Sequence, residues 1–346
     1  MTGALQFTER DWGRIERDWT AWWAHELDRP LVMIEDPVRS RSPDELSEDF
    51  LLRKPVEEVL DYYQSRLRMS QVYGDAWPRW FPFFGAGVVA GFLGVELVFS
   101  PETETIWFEP DEQQWRASSP PACDPDNYLW QRVRTLTQSA VEFWDHQVCV
   151  GFTDLGGNLD ILASLQSSES LLLELVANPV AVAEKTARIT RLWLQYYEEL
   201  YAIIQRSGLG CTPWAPIWAP GRCYMLQSDF SAMISPRMFE AFVLPDLAAC
   251  CEELDFTFYH LDGRGQINHL DHLLSLENLH GVQWIPGEGQ PPPATWLSLL
   301  QRIIEAGKLC QLYVSAQDAQ TIVRELGGSG FAFYITENLN HDEAEQ

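Results

Sequence analysis

Asp255-Phe256-Thr257-Phe258-Tyr259-His260-Leu261-Asp262-Gly263 is the stretch on which the chain is organised. Phe256 to Tyr259 are aromatic or β-branched, the composition of a short buried strand. His260 and Asp262 then fall at its carboxyl end, and Gly263 lets the backbone turn away. An imidazole and a carboxylate two residues apart on a strand end are aimed into one space. In an α/β barrel that end of the strands carries the chemistry.

Working outward, strand-like and helix-like segments alternate from residue 127 to the end. The predicted strands are 148–152, 212–217, 255–259, 281–285, 309–314 and 331–335. Between them lie helices predicted over 127–146, 160–176, 179–207, 236–254, 266–277, 293–306 and 316–326. Leu31-Val32-Met33-Ile34 and one strand from residues 80–99 bring the strand count to eight. Such alternation implies a parallel sheet, and eight units imply a single (β/α)8 TIM barrel spanning 1–346. Residues 1–120 form an N-terminal helical elaboration, with tryptophans at 12, 19, 22 and 23 and a small side hairpin near Thr105–Phe108 and Trp115.

Composition limits the function. The formal charge is −26, which repels phosphate backbones and anionic lipid and so argues against nucleic-acid or membrane-surface partners. Trp80–Val95 is free of charge, but as a helix it would reach only about 24 Å, short of a roughly 30 Å hydrocarbon core. Pro82 and four glycines mark it as a buried turn segment. The start lacks the pattern of a signal peptide. Seven cysteines without a CxxC pair point to a reducing, cytoplasmic setting.

Several residues fall where a barrel would gather them. His260, Asp262 and Glu337, which follows the last strand, are candidate catalytic residues and candidate ligands for a divalent metal such as zinc. Asp154, Asn158, Trp214, Tyr224, Asp229, Gln283 and Trp284 are candidate substrate-binding residues. In Asp154-Leu155-Gly156-Gly157-Asn158-Leu159-Asp160 the glycines permit close backbone approach, while Asn158 or Asp160 is equally suited to cap a helix. Asp229 stands farthest from its strand and is also suited to a surface loop. Without a metal, His260 and Asp262 would form an acid–base pair.

The chain resembles the uroporphyrinogen decarboxylase superfamily. The resemblance is carried by Gly156–Asp160, Leu171–Leu175, Asn178-Pro179, Ser228-Asp229-Phe230, Ile234-Ser235-Pro236, Met238–Pro245 and Tyr259–Gly263. It covers roughly residues 125–338 and implies the same (β/α)8 fold. It implies either decarboxylation or methyl transfer to a corrinoid carried by a partner protein. The decarboxylase branch carries a catalytic aspartate in a Ser-Asp-Ile-like segment, and residues 80–95 contain no Asp. The methyltransferase branch binds zinc through His-x-Cys and a later Cys. Here Asp262 stands in the first Cys position and Thr336-Glu337 near the later one. The sequence thus predicts a metal-assisted methyltransferase acting on a small molecule, and it allows an oligomer. A metal-free decarboxylase or lyase and a non-catalytic small-molecule binder are the alternatives.

Overall fold

The computed structural model describes residues 2–35, 45, 47–100, 105–110 and 122–337. In chain order the strands are β1 (Thr2–Gly3), β2 (Leu31–Glu35), β3 (Gln71–Gly74), β4 (Arg79–Trp80), β5 (Glu96–Ser100), β6 (Thr105–Glu109), β7 (Cys149–Val150), β8 (Cys223–Gln227), β9 (Phe256–Asp262), β10 (Gly281–Ile285), β11 (Leu309–Val314) and β12 (Phe331–Ile335). The main sheet runs β1-β3-β2-β12-β11-β10-β9-β8. From β8 through to β2 every pairing is parallel. β3 and β1 add antiparallel to one edge, and β4 pairs with β7 in a separate parallel ribbon.

This is an α/β architecture with a mostly parallel sheet and helices between successive strands, consistent with a TIM-like fold. Among the described residues, sheet pairing does not close the expected ring. At one joint, Arg79 of β4 meets Glu35 of β2 at 3.3 Å. At the other, the Phe152 N–H after β7 donates to Thr212 O. Leu155 N–H donates to the Tyr224 hydroxyl of β8 at 2.7 Å.

The fourth parallel strand is not where the sequence placed it. Residues 212–217 form an irregular loop closed by a bridge between Cys211 and Ala219, and β8 supplies the strand instead. Pro213 and Pro216 lack the N–H groups a ladder needs, whereas Cys223–Gln227 is buried throughout. Two predicted helices are also broken. The one over 236–254 divides into Pro236–Phe242 and Leu244–Glu253, because Pro245 cannot donate to the preceding turn. The one over 160–176 divides into Asn158–Gln166 and Ser168–Ala177 at Ser167, whose φ is +72°. The side hairpin is present as β5 and β6; Trp115 lies outside the described residues. No helix among the described residues is long and apolar enough to cross a membrane.

The tryptophan-rich segment folds as helix Glu9–Trp23, started by a reciprocal Thr8/Asp11 cap. It packs across the amino end of the sheet. Trp22 stacks on Phe258 at 5.7 Å, and Trp23 lies against Phe256 and Phe258. Trp19 is fully buried, meets Trp22 and Trp77 edge-on, and donates its indole N–H to Asp75 O at 3.1 Å. Replacing Trp19 by Ala is expected to cost about 3–5 kcal/mol, read as a lower urea midpoint with an unchanged slope. A loss under about 0.5 kcal/mol, the surface-substitution range, would contradict this packing.

Candidate metal and acid–base site

Side chains alternate along β9, so Phe256, Phe258, His260 and Asp262 share one face. The opposite face carries Thr257, Tyr259 and Leu261, all fully buried. His260 pairs in register with Gln227 of β8 and Gln283 of β10. Two residues past Gln227 the chain enters a short 3-10 turn, Asp229–Met233, which brings Asp229 above His260. Ligand atoms of Asp229, His260 and Asp262 lie within 4.8 Å of one another. His260 and Asp262 are half-buried and Asp229 is exposed at the mouth.

Asp229 and His260 are held from below. The Asp160 carboxylate accepts the backbone N–H groups of Asp229 at 3.0 Å and Phe230 at 2.7 Å, fixing the turn that carries Asp229. Gln266 Nε2 donates to Asp229 Oδ1 at 3.5 Å and its Oε1 accepts from the Tyr259 hydroxyl at 3.1 Å. His260 Nδ1 is hydrogen-bonded to Gln283 Oε1, and Gln283 Nε2 donates to Gln311 Oε1. Trp214, at the tip of the Cys211–Ala219 loop, meets the His260 ring edge-on at 5.2 Å. That loop is pinned because Trp23 Nε1 donates to Trp218 O and Trp218 Nε1 to Leu209 O.

Three carboxyls here, Asp154, Asp160 and Asp229, are held above their ordinary range. Burial pushes Asp154 up to about 7, with Asp229 adding to it and the Gly156 N–H opposing it at 2.9 Å. Asp160 is also pushed up to about 7, by burial first and then by Asp229. Desolvation raises Asp229, helped by Asp262 and opposed by His260. Carboxylates crowded together, with Asp154 and Asp160 buried, favour protonation or a cation.

Not every candidate converges here. Glu337 is spent elsewhere: its Oε2 accepts the Ala316 N–H at 2.8 Å, at the start of helix Ala316–Leu326. β12 lies three strands from β9, and Asp229 takes the third position that the sequence reading gave to Glu337. Asn158 is turned inward, its Oδ1 accepting the Leu159 N–H and its Nδ2 reaching Phe242 O. Tyr224 supports the 154–157 loop from beneath, accepting from Leu155 and donating to Thr153 O. Trp284 faces away from His260, packed against Trp296 at 5.2 Å. The glycine loop does permit close approach, but to β8: a Cβ on Gly157 would stand 2.1 Å from Gln227 O.

Gln311 was not read from the sequence as part of the site, and Asp160 only as an end of the glycine loop or a helix cap. A glutamine in the middle of Leu-Cys-Gln-Leu-Tyr-Val is the available signal, since a buried amide in an apolar strand needs partners.

Comparison by sequence gives no match: no family model matches the chain, and no curated protein does. Comparison by structure does. The chain is similar to a methyltransferase from Methanosarcina mazei, with a TM-score of 0.60 over 96% of this chain and 96% of that one, at 13% identity. The two share a fold. That likeness gives the α/β scaffold to both chains, and at this identity it carries nothing further.

The raised carboxyls set a direction for stability. Between the ordinary value near 4 and about 7, the folded state holds protons on Asp154 and Asp160 that the unfolded state has released. Their contribution is therefore full below about pH 4 and is lost as pH rises through 7, by up to about 1.4 kcal/mol per pH unit for each. Asp154→Asn should flatten that decline in metal-free protein followed by urea unfolding from pH 4 to 8. An unchanged slope would show that Asp154 titrates normally.

Proposed function

We propose that this chain is a metal-assisted methyltransferase of the uroporphyrinogen decarboxylase superfamily. It passes a methyl group from a small oxygen-bearing substrate to a corrinoid or related acceptor held by a partner protein. The observation that carries the reading is the convergence of Asp229, His260 and Asp262 within 4.8 Å at the carboxyl ends of two adjacent parallel strands. The superfamily motifs and the methyltransferase with the same fold support it.

The donor set fits a divalent cation. Two carboxylates and one imidazole are competent ligands for zinc, and three protein ligands leave a fourth position open to substrate. With no thiolate, the site is hard and suits an oxygen ligand better than sulfur. A bound cation would supply Lewis-acid activation of the substrate oxygen.

The chain's own residues do the rest. Trp214 walls the site on the His260 side and limits water. The acceptor contributes the electron pair that forms the new bond to the methyl carbon. The substrate oxygen keeps the pair of the broken carbon–oxygen bond and takes up a proton. Asp154, beside Asp229 and pushed up to about 7, is the proton donor in this reading.

Protein purified without chelator should carry stoichiometric metal, and His260→Ala should reduce it to background with methyl transfer abolished. Asp154→Asn should keep the metal and lower kcat about 10²–10⁴-fold. Equal metal in wild type and His260→Ala, or none in either, would overturn the reading. Chelator-insensitive activity lost in Asp262→Asn would instead favour a metal-free acid–base pair.

A further inference from the structure

Three strands, β8, β10 and β11, place amides level with His260 of β9. Gln227, His260, Gln283 and Gln311 are successive register partners across β8, β9, β10 and β11. Gln227, Gln283 and Gln311 are all buried, the last two completely. Buried amides in the middle of apolar strands are costly unless they hydrogen-bond to one another or to a ligand. Here Gln283 does so on both sides, joining His260 Nδ1 to Gln311 Oε1.

This chain has a sense. Gln283 Nε2 donates to Gln311, so Gln283 Oε1 faces His260, and a carbonyl oxygen only accepts. The proton of the neutral imidazole then sits on Nδ1, and Nε2 keeps its lone pair. With both amides turned over the sense reverses: His260 Nδ1 would accept, the proton would move to Nε2, and that nitrogen would be closed to a cation. The two arrangements differ in chemistry, not in shape.

We infer that Gln283, backed by Gln311, is a positioning residue that fixes His260 as its Nδ1–H tautomer and leaves Nε2 free to ligate at the mouth. The use of that nitrogen rests on the metal reading, while the tautomer does not. Gln311 adds a feature of its own. Its Nε2 is buried without a partner, beside the small Ala332 in register. Its hydrogen bond to Gln283 therefore holds the amide from one side alone.

The test is the tautomer itself, in the full-length protein freed of metal. Histidine ¹⁵N resonances would be recorded by long-range proton correlation at alkaline pH, where the imidazole is neutral, and His260 assigned by its loss in His260→Asn. Wild type should show Nδ1–H. Gln283→Leu should lose that preference, Gln283→Glu should retain it because a carboxylate also accepts from Nδ1–H, and Gln311→Leu should weaken it. Zinc affinity should fall about 10–100-fold in Gln283→Leu, as for other partners of ligating histidines, and recover in Gln283→Glu. Nε2–H in wild type would overturn the proposal without need of any variant, as would Nδ1–H persisting in folded Gln283→Leu. If the tautomer behaves as stated but wild type binds no zinc, the relay stands and the metal reading fails.

Discussion

The structure depends on the two-residue alternation of β9. Its inward face begins with Phe256 and Phe258, seated against Trp22 and Trp23, and ends with His260 and Asp262. Its outward face, Thr257, Tyr259 and Leu261, is sealed beneath neighbouring elements. A slip of one residue would turn the imidazole and carboxylate into the apolar layer and Tyr259 and Leu261 toward the mouth. The aromatic end and the polar end therefore enforce one register between them. Gly281 of β10 contributes, because a Cβ there would stand 2.1 Å from the Phe258 ring.

That register carries the site across the sheet. Gln227, Gln283 and Gln311 lie level with His260, and Asp229 rises from the turn after β8 into the space above it. The charge distribution is unusual for a chain of charge −26. Asp229 and Asp262 meet a single imidazole at the mouth, Asp154 and Asp160 are buried beside Asp229, and backbone N–H groups stabilise part of that charge. In the proposed reading a divalent cation balances the remainder and favours the ionised form of Asp229.

Much of this was legible from the sequence because β9 reads as a strand on composition and its last residues are chemically distinct. β10, β11 and β12 were equally legible, each an apolar run bounded by helix signals. The fourth parallel strand was not, since Thr212–Ile217 and Cys223–Gln227 are both apolar and only the prolines separate loop from strand. Glu337 was misplaced for a related reason: a carboxylate after a strand can face the axis or cap the next helix, and sequence spacing does not distinguish them. Asp229 was the converse, far from the strand predicted over 212–217 yet two residues past β8, its turn fixed by hydrogen bonds to Asp160, a contact made 69 residues away in the chain. The glutamine relay is a property of register between strands, which no single strand displays.

In the proposed reading Asp229, His260 and Asp262 form one cation site on adjacent strands. Crystals soaked in zinc, with diffraction collected on both sides of the zinc absorption edge, would reveal it. One anomalous peak is expected about 2.0–2.2 Å from His260 Nε2 and from a carboxylate oxygen of each aspartate. Zinc bound elsewhere with this cluster empty, or zinc held through His260 Nδ1, would contradict it.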